Sequence, residues 1–302
     1  MKRILFFFLD GVGLGPATDA NPLARANGAA LTRLAGGQRW TQPFRSIASE
    51  THLVRAIDAT LGVEGLPQSG TGQASLLTGT NCAALVGRHF GPFPHSKTHP
   101  VLDADNLFHQ VHALPGDGRP VAFANAFPPA FFEAARRRST VTTHCCRAAG
   151  VRLRTREALA AGRAVAADLT GAAWRQHLGL DVETRTPAAA GAALGALTRD
   201  HALTLFEYFL TDKVGHERID TPADTILAAV DEALGALLER LDPSTDTLLV
   251  TSDHGNLEDA SHTQHTRNPV PLLVHGWAAP YFADATALTD VTPALVAALS
   301  AP

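Results

Sequence analysis

The chain of 302 residues has few cysteines and no long apolar run. Its three cysteines, Cys82, Cys145 and Cys146, have neither the spacing of a disulfide framework nor that of a zinc finger. We therefore expect reduced thiols and a cytoplasmic location. No apolar run approaches the roughly 20 residues that cross a bilayer, so we expect no membrane partner. The short apolar stretch before Asp10 lacks the cleavage site of a signal peptide and indicates a first strand.

The chain also lacks a basic run. Its 25 Lys and Arg residues face 29 Asp and Glu residues, which gives a net charge of -4. A nucleic-acid binder usually carries a basic patch, so we expect no nucleic-acid partner. The hydrophobic fraction of 45% is typical of a globular protein, and small molecules are the expected ligands. The sequence indicates no oligomeric state.

Strand-like apolar runs end three times on an aspartate: Asp10, Asp212 and Asp253. His216 follows Asp212 by four residues and His254 follows Asp253 directly, while His265 lies a short loop further on. In open α/β sheets the carboxyl ends of the strands share one edge, so these side chains are expected to converge. Six Asp and His side chains at one point predict a metal site.

Strand and helix patterns alternate at both ends of the chain. This alternation predicts a three-layer α/β/α sandwich with a mostly parallel central sheet. Residues 130–200 are rich in Ala, Arg and Gly, and we expect a small insertion or reduced cap there within a single domain of residues 1–302. The other predicted elements are strands at 51–58 and 120–127, a helix from Pro22 to Leu34, an amphipathic helix from Thr221 to Leu241, and a last helix over 293–299.

The segment LPQSGTGQASLLTGTN is a glycine-rich turn that runs into a helical pattern. Its hydroxyls, on Ser69 and Thr71, are predicted at a helix N-terminus, where backbone N–H groups favour an anion. Considered alone, the segment fits a helix cap and a glycine turn better than it fits a nucleophile. A metal site nearby would activate such a hydroxyl.

Five ordered blocks, FFLDGVGLG, SGTGQASLLTG, TDKVGHE, TSDHGN and HTRNPVPLL, resemble the alkaline phosphatase superfamily. They are most similar to its metalloenzyme branch, which includes cofactor-independent phosphoglycerate mutase and phosphopentomutase. The resemblance covers about residues 1–90 and 200–302 and implies an alkaline phosphatase-like fold. The nucleophile block is also similar to that of nucleotide pyrophosphatases and sulfatases.

The resemblance implies that Ser69 is the nucleophile, because a glycine stands ten positions beyond it, and Thr71 is the second choice. It also implies two divalent ions. One would be held by Asp10, Asp253, His254 and the Ser69 oxygen, the other by Asp212, His216 and His265. Gln73 stands where the mutases have histidine, a departure that puts mutase-type substrate contacts in doubt. His262 is the alternative to His265.

Oxygen and imidazole ligands without thiolate suit zinc or manganese, and magnesium less well. Arg88 and His89, shortly after the nucleophile segment, are candidates for substrate binding. The expected function is a two-metal phosphohydrolase that cleaves a phosphate mono- or diester of a small metabolite through a phosphoserine. The alternatives are an intramolecular phosphomutase and, in another class, a non-catalytic metal-binding protein.

Overall fold

The computed structural model describes residues 1–115, 120–134 and 139–301. Within them, one sheet has seven strands in the order β2-β3-β7-β6-β1-β5-β4. The strands are β1 (Arg3–Leu9), β2 (Ile47–Ala48), β3 (His52–Ile57), β4 (Val121–Phe123), β5 (Leu203–Tyr208), β6 (Asp246–Thr251) and β7 (Val270–Gly276).

The direction of the strands divides the sheet into two parts. The strands β4, β5, β1 and β6 are mutually parallel neighbours. The strand β7 runs antiparallel to both β6 and β3, and β2 runs antiparallel to β3. The prediction of a mostly parallel sheet is therefore confirmed, and the four-stranded parallel part has its carboxyl ends on one edge.

Helices cover both faces of the sheet. The helices are α1 (Pro22–Arg25), α2 (Ala29–Leu34), α3 (Ser69–Thr78), α4 (Cys82–Val86), α5 (His99–Ala104), α6 (Leu107–His112), α7 (Pro129–Ala134), α8 (Val141–Ala148), α9 (Arg156–Ala160), α10 (Ala172–Leu178), α11 (Pro187–Thr198), α12 (Leu210–Gly215), α13 (Ala223–Leu238) and α14 (Val291–Ser300). Alternate residues of β1 enter opposite cores: Phe6 and Phe8 face the core with α3, α6, α8 and α14, whereas Leu5 and Phe7 face the core with α2, α11 and α13. This is the predicted three-layer arrangement.

The helix predicted from Pro22 to Leu34 is broken into α1 and α2. Asn21 caps the first helix as expected, because its Oδ1 accepts from the Leu23 N–H at 2.9 Å. The break falls at Gly28, where a Cβ would lie 2.2 Å from Asp231 Oδ1. Asp231, on α13, accepts from the Leu31 N–H at 2.8 Å, a donor that a continuous helix would pair with the carbonyl four residues earlier. The predicted helices at the position of α13 and at the C-terminus are confirmed.

The strand predicted over 120–127 ends at Phe123. Beyond it, the side chain of Asn125 takes over the pairing with β5. Its Oδ1 accepts from the Glu207 N–H at 2.9 Å, and its Nδ2 donates to the Glu207 carbonyl at 2.7 Å. The following backbone turns outward and bridges to Val165 and Arg154 in the middle of the chain.

The middle of the chain forms helices beside β4 and a small core of its own. That core contains Ala126, Leu159, Ala164, Ala166, Trp174 and Val182. The three cysteines are buried and carry free thiols. Among the described residues, none of the helices combines the length and apolar character that a membrane span requires.

Candidate metal centre

The three strand-terminal aspartates lie together at the carboxyl edge of the parallel part of the sheet. Asp10 follows β1, Asp253 follows β6 and Asp212 lies in the first turn of α12 after β5. Because β1 lies between β5 and β6, the three loops are neighbours. The Gly11 N–H donates to Asp253 Oδ1 at 3.3 Å, which joins two of the loops.

One half of the centre, the buried subsite, consists of Asp10, Asp253 and His254 beside Ser69. His254 Nε2 lies 3.4 Å from Asp10 Oδ1, 3.5 Å from Asp253 Oδ2 and 3.0 Å from Ser69 Oγ. The side chains of Asp253 and His254 are fully buried. Four polar groups therefore meet at a single point below the surface.

The other half, the mouth subsite, consists of Asp212, His216 and His265. Asp212 Oδ1 lies 3.4 Å from His216 Nε2 and 3.5 Å from His265 Nε2, and the two Nε2 atoms are 2.9 Å apart. Asp212 and His216 are four residues apart and lie on one side of α12, as their spacing predicts. His265, not His262, completes the group, since His262 is exposed and pairs with Asp259 at 3.5 Å.

A backbone carbonyl fixes the orientation of each imidazole. The Nδ1 atom lies 2.7 Å from the Thr263 oxygen in His216, 2.6 Å from the Pro67 oxygen in His265, and 3.3 Å from the Gly255 oxygen in His254. A carbonyl only accepts, so Nδ1 carries a proton, and in the neutral form of each ring Nε2 presents a lone pair to the centre. Metal-binding histidines are oriented in the same way.

The donor atoms fit divalent cations. Within the described residues, Asp10 Oδ1 and Asp253 Oδ2 are buried without a hydrogen-bond partner. Burial and the carboxylates of Asp253 and Asp212 raise the pKa of Asp10 well above its usual value, so these charges repel one another. The facing lone pairs of His216 and His265 likewise repel unless a proton or cation lies between them. Among the described residues, Asp212, His216 and His265 form one group compact enough for an ion, and Asp10, Asp212 and His254 form another. The second group contains Asp212 where the expected set has Asp253.

Ser69 is the first residue of α3. Gln68 before it is extended and Gly79 ends the helix in the left-handed region at φ 77°. Gly70, the residue after Ser69, must be small, since a Cβ on it would lie 2.2 Å from the Phe93 carbonyl oxygen. Gly72 is also required, because a Cβ there would lie 2.9 Å from the Asp253 carbonyl oxygen. These two glycines let the helix start directly against the buried subsite.

Thr71 and Gln73 lie one turn into the same helix. Thr71 is fully buried, and its Oγ1 accepts from the Phe90 N–H at 3.1 Å and donates to the Gln68 carbonyl at 3.3 Å. Its hydroxyl is thus engaged with backbone. Gln73, at the position of the mutases' histidine, donates from Nε2 to Asp10 Oδ2 at 3.4 Å. It therefore supports a predicted ligand.

Sequence reasoning missed Glu258, which is almost fully buried behind the centre. Its Oε2 accepts from the Gly13 N–H at 2.9 Å and from the Asn256 N–H at 2.8 Å. Its Oε1 accepts from Asn268 Nδ2 at 3.0 Å and from the Thr266 hydroxyl. One carboxylate thus joins the loop after β1, the loop after β6 and the segment that carries His265. The only signal in the sequence is an acid four residues after His254.

Asn256 and Glu207 were also missed. Asn256 Nδ2 donates to Asp212 Oδ1 at 2.8 Å, so it orients a predicted ligand. Glu207, on β5, is buried, and burial raises its pKa to about 7, although a hydrogen bond with Thr142 opposes the shift. Nothing in the sequence distinguishes this glutamate, because it stands within an apolar strand.

A cavity of about 520 Å³ opens above Ser69. It is lined by Ser69, by the three residues of the mouth subsite, and by Leu66, Gln68, Pro92, Arg218, Thr263 and Gln264. The candidates for substrate binding, Arg88 and His89, are not among the residues that line it. The guanidinium carbon of Arg88 lies 5.7 Å from the Phe90 ring centre, and His89 Nε2 lies 3.4 Å from the Val63 carbonyl oxygen.

Comparison with known proteins agrees with this fold. The model of the Metalloenzyme superfamily matches residues 176–302, which carry five of the six Asp and His side chains. The 2,3-bisphosphoglycerate-independent phosphoglycerate mutase of Vibrio parahaemolyticus is 35% identical over 92 residues, which are 28% of this chain and only 18% of that relative.

Two solved structures share the fold over most of the chain. The PH0037 protein from Pyrococcus horikoshii has a TM-score of 0.53 at 16% identity, over 91% of this chain and 85% of the other. The alkaline phosphatase from the Antarctic bacterium TAB5 has a TM-score of 0.50 at 11% identity, over 98% of each chain. Over residues 176–302 the sequence is similar to the Metalloenzyme superfamily, and the fold is like that of an alkaline phosphatase.

Proposed function

We propose that the protein is a metal-dependent phosphoryl-transfer enzyme that acts on a phosphate ester of a small metabolite, with Ser69 as the nucleophile. The observation that carries this proposal is the position of Ser69 Oγ, 3.0 Å from His254 Nε2 and at the wall of the 520 Å³ cavity. A hydroxyl at a helix N-terminus also lies where backbone N–H groups favour an anionic phosphoryl group.

Each subsite would hold one divalent ion, zinc or manganese. Asp10, Asp253 and His254 with Ser69 would hold the first, and Asp212, His216 and His265 the second. When bound, such a pair neutralises the phosphoryl charge and assists the attacking and leaving oxygens of an in-line displacement. Other groups of the chain hold these ligands in position. Glu258 and Asn256 fix the loops, and three carbonyls fix the imidazoles.

In the first chemical step, the Ser69 oxygen bonds to phosphorus as its proton passes to solvent water. The bond between phosphorus and the ester oxygen breaks, and the substrate leaves as an alkoxide that takes up a proton from water. The in-line geometry places the leaving oxygen on the far side of phosphorus from Ser69, toward the mouth subsite. In the second step the oxygen of an acceptor hydroxyl attacks phosphorus and loses its proton to solvent, and the Ser69–phosphorus bond breaks as the Ser69 oxygen regains a proton from solvent. The acceptor decides the overall reaction: water gives hydrolysis, and a second hydroxyl of the same substrate gives isomerisation.

Relatives and geometry favour different acceptors. The relatives that match are named phosphoglycerate mutases, which favours the phosphomutase that the sequence analysis placed second. The cavity favours hydrolysis, because none of the described residues between 93 and 211 lines it, including those of the expected insertion or reduced cap. A phosphoserine open to solvent exchanges with water more readily than one that is covered.

One experiment tests both levels of the proposal. The protein is reconstituted with Mn²⁺ or Zn²⁺ and incubated with phosphoglycerates, pentose phosphates and an aryl phosphate, and phosphate release and isomer formation are measured. Isomer formation without phosphate release identifies a mutase, and phosphate release identifies a hydrolase. Turnover that persists in Ser69→Ala, or the lack of any turnover by the metal-loaded protein, would contradict phosphoryl transfer through Ser69.

A further inference from the structure

The cavity above Ser69 extends past the mouth subsite to Arg218. This arginine is exposed, and its guanidinium makes no hydrogen bond or ion pair with any residue that the structure describes. The other lining groups around it, Thr263 and Gln264, are uncharged. A cation with five free N–H donors therefore borders the space that a substrate would enter.

The backbone before Arg218 adopts an unfavourable conformation that determines its position. Helix α12 ends in a Schellman motif, in which the Glu217 N–H donates to the Val214 carbonyl at 2.9 Å and the Arg218 N–H to the Lys213 carbonyl at 2.8 Å. Glu217 has φ 53°, a left-handed conformation that glycine adopts more easily. This turn directs the chain from the mouth-subsite residue His216 to Arg218 within two residues.

Arg218 lies on the side of the cavity that the leaving group would occupy. The attacking Ser69 contacts the buried subsite, so the leaving oxygen faces the mouth subsite, which Arg218 directly follows. The part of the substrate beyond that oxygen then extends toward the guanidinium. The planar fork of arginine binds carboxylates and phosphates through two parallel hydrogen bonds.

We propose that Arg218 forms an anion subsite for the leaving group, so that the substrate is a phosphate ester whose alcohol part carries a second anionic group. This inference rests on the proposed function, which supplies the orientation of the ester. The shared chemistry is an oxyanion that accepts two hydrogen bonds, and its two sources are a carboxylate and a second phosphate.

Binding measurements test the subsite without turnover. The full-length Ser69→Ala protein, loaded with Mn²⁺, is titrated by calorimetry with ethylphosphonate, 3-phosphonopropionate and propane-1,3-diylbisphosphonate. We expect a second anion to tighten binding about 10-fold relative to ethylphosphonate. The probe that gains more identifies the carboxylate or the phosphate as the natural group.

The gain should depend on Arg218 alone. Adding Arg218→Ala should abolish it, and Arg218→Lys should retain a part, because lysine keeps the charge but loses the fork. Arg175→Ala, at an exposed arginine that does not line the cavity, is the matched control and should keep the full gain. Three results would overturn the anion subsite at Arg218: an equal gain in Arg218→Ala, no gain with 3-phosphonopropionate or with propane-1,3-diylbisphosphonate, or no binding of any probe.

The two proposals fail differently. If the gain requires Arg218 but the protein with Ser69 intact turns over no phosphate ester, the anion subsite stands and the proposed function is wrong. If the protein with Ser69 intact turns over an aryl phosphate but the two probes with a second anion bind no better than ethylphosphonate, the proposed function stands and the anion subsite is wrong.

Discussion

The buried and mouth subsites have similar Asp and His side chains as proposed ligands but differ in how the chain holds them. Asp10, Asp253 and His254 directly follow adjacent parallel strands, and the side chains of Asp253 and His254 are fully buried. The mouth subsite combines the end of a six-residue helix with a loop, and the His216 side chain is 16% exposed. The sheet thus positions the first set of ligands, whereas hydrogen bonds to loop residues position the second.

The largest expected effect concerns the nucleophile at the buried subsite. Ser69→Ala should lower turnover on the order of 10³-fold or more, because it removes the hydroxyl that lies 3.0 Å from His254 Nε2 and is the proposed nucleophile. Metal content, measured by elemental analysis, should change little, since six Asp and His ligands remain. Thr71→Ala is the matched control two residues away, and a larger loss there than in Ser69→Ala would move the nucleophile to Thr71.

Removing one ligand from each subsite tests the difference between them directly. Asp253→Asn should lower turnover by more than ~100-fold, and His216→Gln should do the same. Only Asp253→Asn should also raise the melting temperature of the metal-free protein, because it removes a fully buried charge that repels Asp10, whereas the His216 side chain is 16% exposed. Equal thermal shifts in both variants would contradict the difference in burial between the two subsites.

Loss of the carboxylate that joins three loops should weaken metal binding without removing a ligand. Glu258→Gln should reduce metal affinity by ~10–100-fold, as expected for an outer-shell partner. The amide keeps the size of the side chain but replaces one acceptor oxygen with a donor that faces other donors. Glu64→Gln, at an exposed glutamate, is the control. Metal affinity is measured by competition with a chromogenic chelator, and an unchanged affinity would refute the positioning role.

The smallest expected effect is a pH dependence from Glu207. Its pKa is raised from 4.5 to about 7, so the folded state binds more protons than the unfolded state between these values. Stability from this group is therefore present below pH 4.5 and is lost as the pH rises through about 7. In the metal-free protein, the free energy of unfolding of Glu207→Gln should rise relative to that of the wild type by roughly 1–3 kcal/mol as the pH is raised from 4.5 to 8. The measurement is urea unfolding of both proteins across this pH range. The same pH dependence of unfolding free energy in Glu207→Gln and the wild type would contradict the raised pKa of Glu207.

The strand-end aspartates and the order of the layers were predictable because they follow from local patterns. A run such as ILFFFLD places its last residue at the edge of a sheet wherever the strand lies. Asp231 and Glu258 were not predictable, because each acts on residues about 200 or more positions away, Asp231 at Leu31 and Glu258 at Gly13. The lining of the cavity depends likewise on tertiary packing, so the local sequence could not place Arg88 and His89 relative to it.

The paired hydrogen bonds between Asn125 and the Glu207 backbone have a consequence for solubility. They end the edge strand β4 after three residues, and the bridges to Val165 and Arg154 cover the chain that follows. A short, covered edge offers little backbone for pairing with another chain, which is how natural sheets avoid aggregation. The middle of the chain therefore protects the sheet, and its deletion should yield aggregated protein rather than a folded protein with a more open cavity.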